Sequence, residues 1–217
     1  RSWRTAGQRV VLHFGAVDYE ATVWVNGNAT LLTDGTQEAT AEGIHIRNGD
    51  VYVAGEEGGV AKYWLNGAAV VLGDGTGSSG ASEVWVDEGH VYVAGYEAVG
   101  GGPEEAVVWM DGVRQVLSSN GGAALGLWVE DGAVYAGQHT DLIHALAYWV
   151  NGAARTPAVP EFLLSEMGLC TDICVRDGVV HTSSLIYYLG EPGSYHSNSS
   201  TGTSTHLNGV AWGIWVE

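Results

Sequence analysis

One short phrase recurs along this chain at a near-constant interval. "DVYVAG" at 50–55 returns as "HVYVAG" at 90–95 and shortens to "VYAG" at 134–137. A second phrase reads "VWVNG" at 23–27, "YWLNG" at 63–67, "VWMDG" at 108–112 and "YWVNG" at 148–152, with a degraded copy, "YYLG", at 187–190. A third alternates: Ile44-His45-Ile46, Val84-Trp85-Val86, Leu127-Trp128-Val129, Ile173-Cys174-Val175 and Ile214-Trp215-Val216. A weaker apolar run follows each Asn/Asp-Gly. A repeat of this length means that each copy is one supersecondary unit, stable only when its neighbours cover it.

Each copy holds four short runs in about 40–46 residues, with period-2 alternation, β-branched residues and Gly punctuation, which read as strands. The chain has 33 Gly, 9 Trp and 10 Tyr but 2 Phe, a balance suited to strands and tight turns. The only helical turn expected lies at 160–168. Four antiparallel strands per repeat predict a β-propeller blade. The expectation is therefore an all-β fold: a five-bladed β-propeller of four-stranded antiparallel blades, one domain over residues 1–217. The tryptophans recur at fixed strand registers, so they are expected in the core between blades. His45 takes a Trp position in the third phrase and is expected buried and hydrogen-bonded.

The C-terminal strand 211–216 is expected to pair beside 10–15 and close the ring, removing exposed sheet edges. Residues 2–5 resemble the same strand and compete for that place. Either residues 1–6 are a displaced tail, or the chain is cut from a longer array.

Two sets of tight Asn/Asp/Glu-Gly turns, after the third phrase and after the Trp phrase, fall on one end of an up-and-down sheet. The loops of varied length, at 33–43, 72–82, 96–106, 138–145, 159–172 and 191–205, fall on the other. That second end is where a binding propeller would hold its ligand.

The phrases "DVYVAG" and "YWxNG", in tandem over nearly the whole chain, resemble the repeat β-propellers of secreted and surface-anchored bacterial proteins, including the loosely related YVTN-type arrays. The resemblance implies an extracellular, cell-surface or periplasmic setting and no particular activity. Five blades are also the number in tachylectin-type lectins, but none of that family's repeat phrases occurs. Residues 3–27, "WRTAGQRVVLHFGAVDYEATVWVNG", are similar to the sugar-binding domain of family 2 glycoside hydrolases. The catalytic carboxylates of that family lie in a different domain, and Val11, Gly15, Trp24, Asn26 and Gly27 also fit the repeat at an offset of 40.

Eight basic and 25 acidic residues give a net charge of −17, which disfavours nucleic acid and anionic membranes and reads either as a device for solubility or as cation binding or the steering of a basic partner. No apolar run is long enough to insert in a membrane as a helix. Cys170 and Cys174 would be about 13 Å apart in a straight strand, too far for a disulfide unless a turn brings them together. The sequons at Asn28 and Asn198 matter only where the source glycosylates.

Asp34 and Asp74 occupy equivalent loop positions, "LTDGT" and "LGDGT", and Asn120 stands in the third copy. They read either as Asx turns or as a polar ligand site repeated per blade, for a sugar hydroxyl or Ca²⁺. An Asp-x-Asp-x-Asp series of Ca²⁺ ligands is missing. Tyr96 opens the 96–106 loop, and His139, Asp141 and His144 share one loop as conceivable metal ligands. "GTGSSG" at 75–80 matches a dinucleotide fingerprint in letters but is expected to open no helix. No G-x-S-x-G elbow or sialidase-type Asp box occurs.

The function expected is a non-catalytic extracytoplasmic binding module for a protein or glycan, with no cofactor and no metal. Asp34, Asp74, Asn120, Tyr96, His139 and Asp141 are its candidate ligand contacts. The alternatives are a lectin with one site per blade, a structural subunit that forms oligomers or arrays through terminal strands, and a carbohydrate-active enzyme with residues gathered from several blades.

Overall fold

A computed structural model of the chain describes residues 10–11, 20–25, 27–119, 121–139, 147–155, 167–188, 191–198 and 203–207. These residues form an all-β structure of antiparallel sheets, with one 3-10 turn at Val99–Gly101. The first sheet has three strands, β1 (Val10–Val11), β2 (Thr22–Val25) and β3 (Asn28–Leu31). The second is β4 (Ala39–Arg47), β5 (Asp50–Glu57), β6 (Val60–Leu65) and β7 (Ala68–Val71), in sequential order. The third repeats it with β8 (Ser79–Asp87), β9 (His90–Glu97), β10 (Glu105–Met110) and β11 (Val113–Ser118).

Two further meanders follow. The fourth set is β12 (Ala123–Glu130), β13 (Ala133–His139), β14 (Ala147–Val150) and β15 (Ala153–Arg155). The fifth is β16 (Met167–Arg176), β17 (Val179–Tyr188), β18 (Glu191–Asn198) and β19 (Thr203–Leu207). One register pair, His139 with Leu169, links these two sets into an eight-stranded sheet. The leading strands β4, β8, β12 and β16 pack each against the next.

The recurrent phrases follow from burial on both faces of each sheet. In β5, Tyr52 and Ala54 face the third sheet, where they pack with Val84 and Trp109. Val53 faces the first sheet and packs with Val23 and Trp64. In β9, Tyr92 and Ala94 join the layer toward β12 while Val93 points back toward β5. The final glycine of the phrase has a steric cause: a Cβ on Gly55 would lie 2.0 Å from the Thr40 carbonyl oxygen, and one on Gly95 2.0 Å from that of Gly80. At these points the leading strand passes too close for any side chain.

Each leading strand carries a register shift at the same place, at 41/43, 81/83, 124/127 and 170/172. Such bulges bend a strand and re-aim the residues beside it.

Trp64 and Trp109 are fully buried between sheets, as their register predicts. Trp85 and Trp128 are not inter-sheet core in the same sense. They are half-buried and, with His45, stack along the leading strands at centroid distances of 4.6 and 4.5 Å. His45 is half-buried too, and its Nε2 meets no hydrogen-bond partner. The ring stack, rather than a hydrogen bond, holds it.

Three assignments along the chain differ from the sequence expectation. Tyr187 and Tyr188 of "YYLG" end β17 rather than opening a third strand, a place that belongs to β18, and 189–190 lie outside the described residues. Most of the expected 191–205 loop is strand, β18 with β19, and residues 167–172 belong to β16. The polar segments "EPGSYHSN" and "TSTHL" lack apolar alternation, yet backbone pairing recruits them: β18 pairs with β17, from Tyr188–Glu191 to His181–Asn198, and β19 pairs with β18, from Ser194–Leu207 to Asn198–Thr203. Pro192 sits near the start of β18, where a missing N–H is tolerated. Of the expected helical turn, Met167 and Gly168 are strand and 160–166 lie outside the described residues.

The strand expected at 211–216 to close a ring, residues 1–6, Asn120, Asp141 and His144 also lie outside them. Cys170 and Cys174 are both buried on β16, and no disulfide joins them. No helix among the described residues is long and apolar enough to cross a membrane.

Candidate functional site

The two ends of the sheets differ in construction. At one end lie the tight turns. Asn48, Asn66, Glu88, Asp111, Asp131, Asn151 and Asp177 all have positive φ, near 50°, and each precedes a glycine that is also positive. Two consecutive positive-φ residues make the type I′ hairpin that suits the strand twist.

The Trp phrase adds a second function at this end. Asn66 Oδ1 accepts the Val51 N–H at 2.9 Å, while the Asn66 N–H donates to the Val51 carbonyl at 2.8 Å. Asp111 does the same with Val91, at 2.9 Å both ways, and Asn151 with Val134, at 2.8 and 2.9 Å. The Asn/Asp of "YWxNG" therefore stitches the turn after the third strand to the start of the second.

The other end carries the loops, and each is held by different chemistry. Asp34 Oδ1 accepts both the N–H and the hydroxyl of Thr36, at 2.9 and 2.5 Å. Asp74 Oδ1 accepts the same two groups of Thr76, at 2.8 and 2.7 Å. The hydroxyl hydrogen bond of Thr36, then its N–H, holds the Asp34 carboxyl below the ordinary range; for Asp74 the Thr76 N–H acts first. Both carboxylates are exposed, and both first serve as turn locks.

The second loop is tied further into its sheet. The Asp74 N–H donates to Glu97 Oε1 at 2.7 Å, and Thr76 Oγ1 accepts the Gly100 N–H at 3.0 Å. Glu97 is buried and faces Arg114 Nε at 2.6 Å, and Arg114 also reaches Glu105. In the preceding sheet the corresponding carboxylate, Glu57, pairs with Lys62 at 2.6 Å.

Tyr96 lies where the second and third sheets meet. Its hydroxyl donates to Glu56 Oε2 at 3.4 Å, above Gly80, which leaves room for both side chains. Burial, then the charges of Glu56 and Glu104, push the Tyr96 phenol up to about 12. Burial raises Glu56 most, and the nearby Glu42 and Glu38 add to it, against the lowering effect of the Tyr96 hydrogen bond. Glu38, Glu42 and Glu56 form no ion pair among the described residues. This end thus presents an acidic patch around one phenol.

Of the sequence candidates, Asp74 is tied through its N–H to Glu97, the residue after Tyr96, whereas the Tyr96 hydroxyl reaches Glu56. Asp34 holds the equivalent place one sheet earlier. His139 supplies the strand pairing between the fourth and fifth sets. "GTGSSG" turns straight into β8, so no helix N-terminus forms there for a pyrophosphate. Among the described residues no group of three His, Cys, Asp or Glu is placed to hold a metal ion.

Sequence reasoning missed Glu56 and Glu83. Glu56 reads as a turn residue in "AGEEGG". Glu83 stands directly before "VWV", where Gly43 and Gly126 stand in other copies, and that departure was its only signal. No protein-family model matches the chain, and no curated protein sequence matches it.

Proposed function

We propose that the chain is a five-bladed β-propeller, closed by the strand at 211–216, that serves as a non-catalytic extracytoplasmic binding module. Successive packing of β4, β8, β12 and β16 supports the architecture, since the innermost strands of a propeller follow one another in this way. The ligand lies on the loop end. The observation that carries this reading is the acidic patch of Glu38, Glu42 and Glu56 around Tyr96, opposite an end made of uniform stitched turns. Carboxylates without cations suit a protein ligand that presents Lys or Arg.

The test is binding of a basic protein panel at low and at physiological salt, with wild type and the Glu38→Gln/Glu42→Gln/Glu56→Gln variant. Binding that weakens with salt and drops about tenfold or more in the variant supports the reading. Binding that is indifferent to the three substitutions overturns it.

A second reading, a glycan site repeated per blade, is favoured by the matching Asp34–Thr36 and Asp74–Thr76 turns. It requires weak multivalent glycan binding that Asp34→Ala and Asp74→Ala abolish. The oligomeric mass with and without residues 1–6 separates a closed monomeric ring from an array joined through its ends.

A further inference from the structure

Glu83 is a partly buried acid that the loop-end reading does not use. It lies beside the bulge of β8, at the register where β4 and β12 carry Gly43 and Gly126 and β16 carries Asp172. Its side chain lies over the neighbouring sheet: a Cβ on Gly43 would be 2.7 Å from the Glu83 Cα and 2.8 Å from Oε1. Gly126 in turn lies against the Asp172 backbone, with 2.7 Å between a Cβ there and the Asp172 Cα. Glycine alternates with a carboxyl along four successive strands, and the glycine between the two carboxyls leaves no side chain to screen them.

Among the described residues Glu83 forms no ion pair. Arg47 is drawn to Asp87 at 3.6 Å, Lys62 is held by Glu57, and Arg114 by Glu97 and Glu105. The hydrogen bond it accepts comes from the adjacent Val84 N–H, at 3.1 Å. The charge that acts on it is that of Asp172 on β16; of the other strands packed against β8, β4 carries Glu42 and His45, and β5 carries Glu56. His45 is neutral at pH 7, since burial, then Arg47, push it down to about 4. Tyr92 of β9 is raised by burial and stays neutral as well.

We propose that Glu83 is a proton-operated latch between the second and third sheets: protonated, it closes over Gly43; ionised, it loosens the contact between β4 and β8. The proton is released to solvent. Burial, against the favourable Val84 N–H and with the opposing Asp172, pushes the carboxyl up to about 8. The Glu56–Tyr96 hydrogen bond crosses the same sheet pair, so opening would part the acidic patch. That last effect rests on the loop-end reading; the latch does not.

The sign is fixed by linkage. A carboxyl raised from the usual 4.5 to about 8 gives full stability below pH 4.5 and loses it as pH rises through 8. His45 works in the opposite sense and only below its ordinary 6.5, because its folded value is near 4. The window from pH 6.5 upward therefore excludes His45, and Glu83→Gln separates Glu83 from Glu56, the other carboxyl that burial raises.

The experiment is urea unfolding of the full chain from pH 6.5 to 9, for wild type, Glu83→Gln and Asp172→Asn, with hydrogen exchange of the β4 and β8 amides. The wild-type unfolding constant should rise by close to tenfold per pH unit until about pH 8 and then level off. Glu83→Gln should abolish the rise, and Asp172→Asn should move the levelling to lower pH. Exchange in β4 and β8 should accelerate beyond its intrinsic pH dependence in wild type and not in Glu83→Gln. A slope that survives in Glu83→Gln overturns the proposal. A slope without local exchange in β4 and β8 overturns the latch, since Glu83 would then affect only global unfolding.

Discussion

The turn end and the loop end are made by the same strands, yet they solve the same problem in different ways. At the turn end one device is used repeatedly: an Asx residue in the left-handed region, a glycine, and a side-chain stitch to the second strand. At the loop end each repeat finds its own answer. The Ala21 N–H is satisfied by Thr33 Oγ1 at 2.9 Å, whereas the equivalent Ala61 N–H takes Ser79 Oγ, also at 2.9 Å. Where the first loop has Thr33 and Ala39, the next has Gly73 and Ser79. Gly73 is small because its Cβ would lie 2.1 Å from the Ser79 hydroxyl. The requirement, a buried N–H that needs an acceptor, stays constant; the residue that meets it moves. Uniform chemistry marks the end that only has to fold. Varied chemistry marks the end where we propose that the ligand binds.

The largest expected effect comes where the strand phrase meets the loop end. Gly95→Ala places a methyl 2.0 Å from a backbone oxygen, and the strand must shift to admit it. A loss of about 3 kcal/mol or more is expected by urea denaturation, at the upper end of overpacking. A loss below about 1 kcal/mol would mean that the bulge yields easily.

Next comes the stitch. Asn66→Ala loses the acceptor for Val51 and puts an alanine at φ 52°, for a cost of about 2 kcal/mol. Asn66→Gly keeps the backbone and loses the side-chain hydrogen bonds, the stitch to Val51 and the one donated to Asp50 at 2.8 Å, so about half that cost should remain. Equal costs for the two would show that the side-chain stitch alone matters and the turn conformation does not.

Ser79→Ala leaves the Ala61 N–H without its acceptor and should cost about 1–2 kcal/mol. Adding Gly73→Thr transplants the first loop's solution and should restore part of the loss. A purely additive pair would separate the two loops that the comparison joins.

The smallest effect is at the surface of the turn end. Asp111→Asn keeps the acceptor for Val91 but replaces the carboxylate that meets the half-exposed His90 ring at 2.6 Å. A change under about 0.5 kcal/mol is expected by thermal melting.

Much of this fold was readable because the repeat writes its packing twice per strand. Tyr52, Val53 and Ala54 alternate between two interfaces, and Asn66-Gly67 announces both a turn and a stitch. The fifth set was misread because Thr, Ser and Tyr pair through their backbone as well as valine does, and no apolar period betrays them. The site was less legible still. Asp34 and Asp74 were visible by position but turned out to lock their own loops. The Glu56–Tyr96 contact joins residues 40 apart in different sheets, and only packing reveals it. Glu83 was detectable solely as the copy that lacks a glycine.

The layered burial has one more consequence. Every packing layer is shared by two successive sheets, so the cohesion of the chain is a sum over adjacent pairs, like a row of coupled spins. A defect placed in one layer weakens its own junction and leaves distant junctions at full strength. Unfolding under force or denaturant should then begin at the weakest junction and travel outward sheet by sheet. A whole repeat could be duplicated or exchanged in evolution so long as its two faces still matched their neighbours.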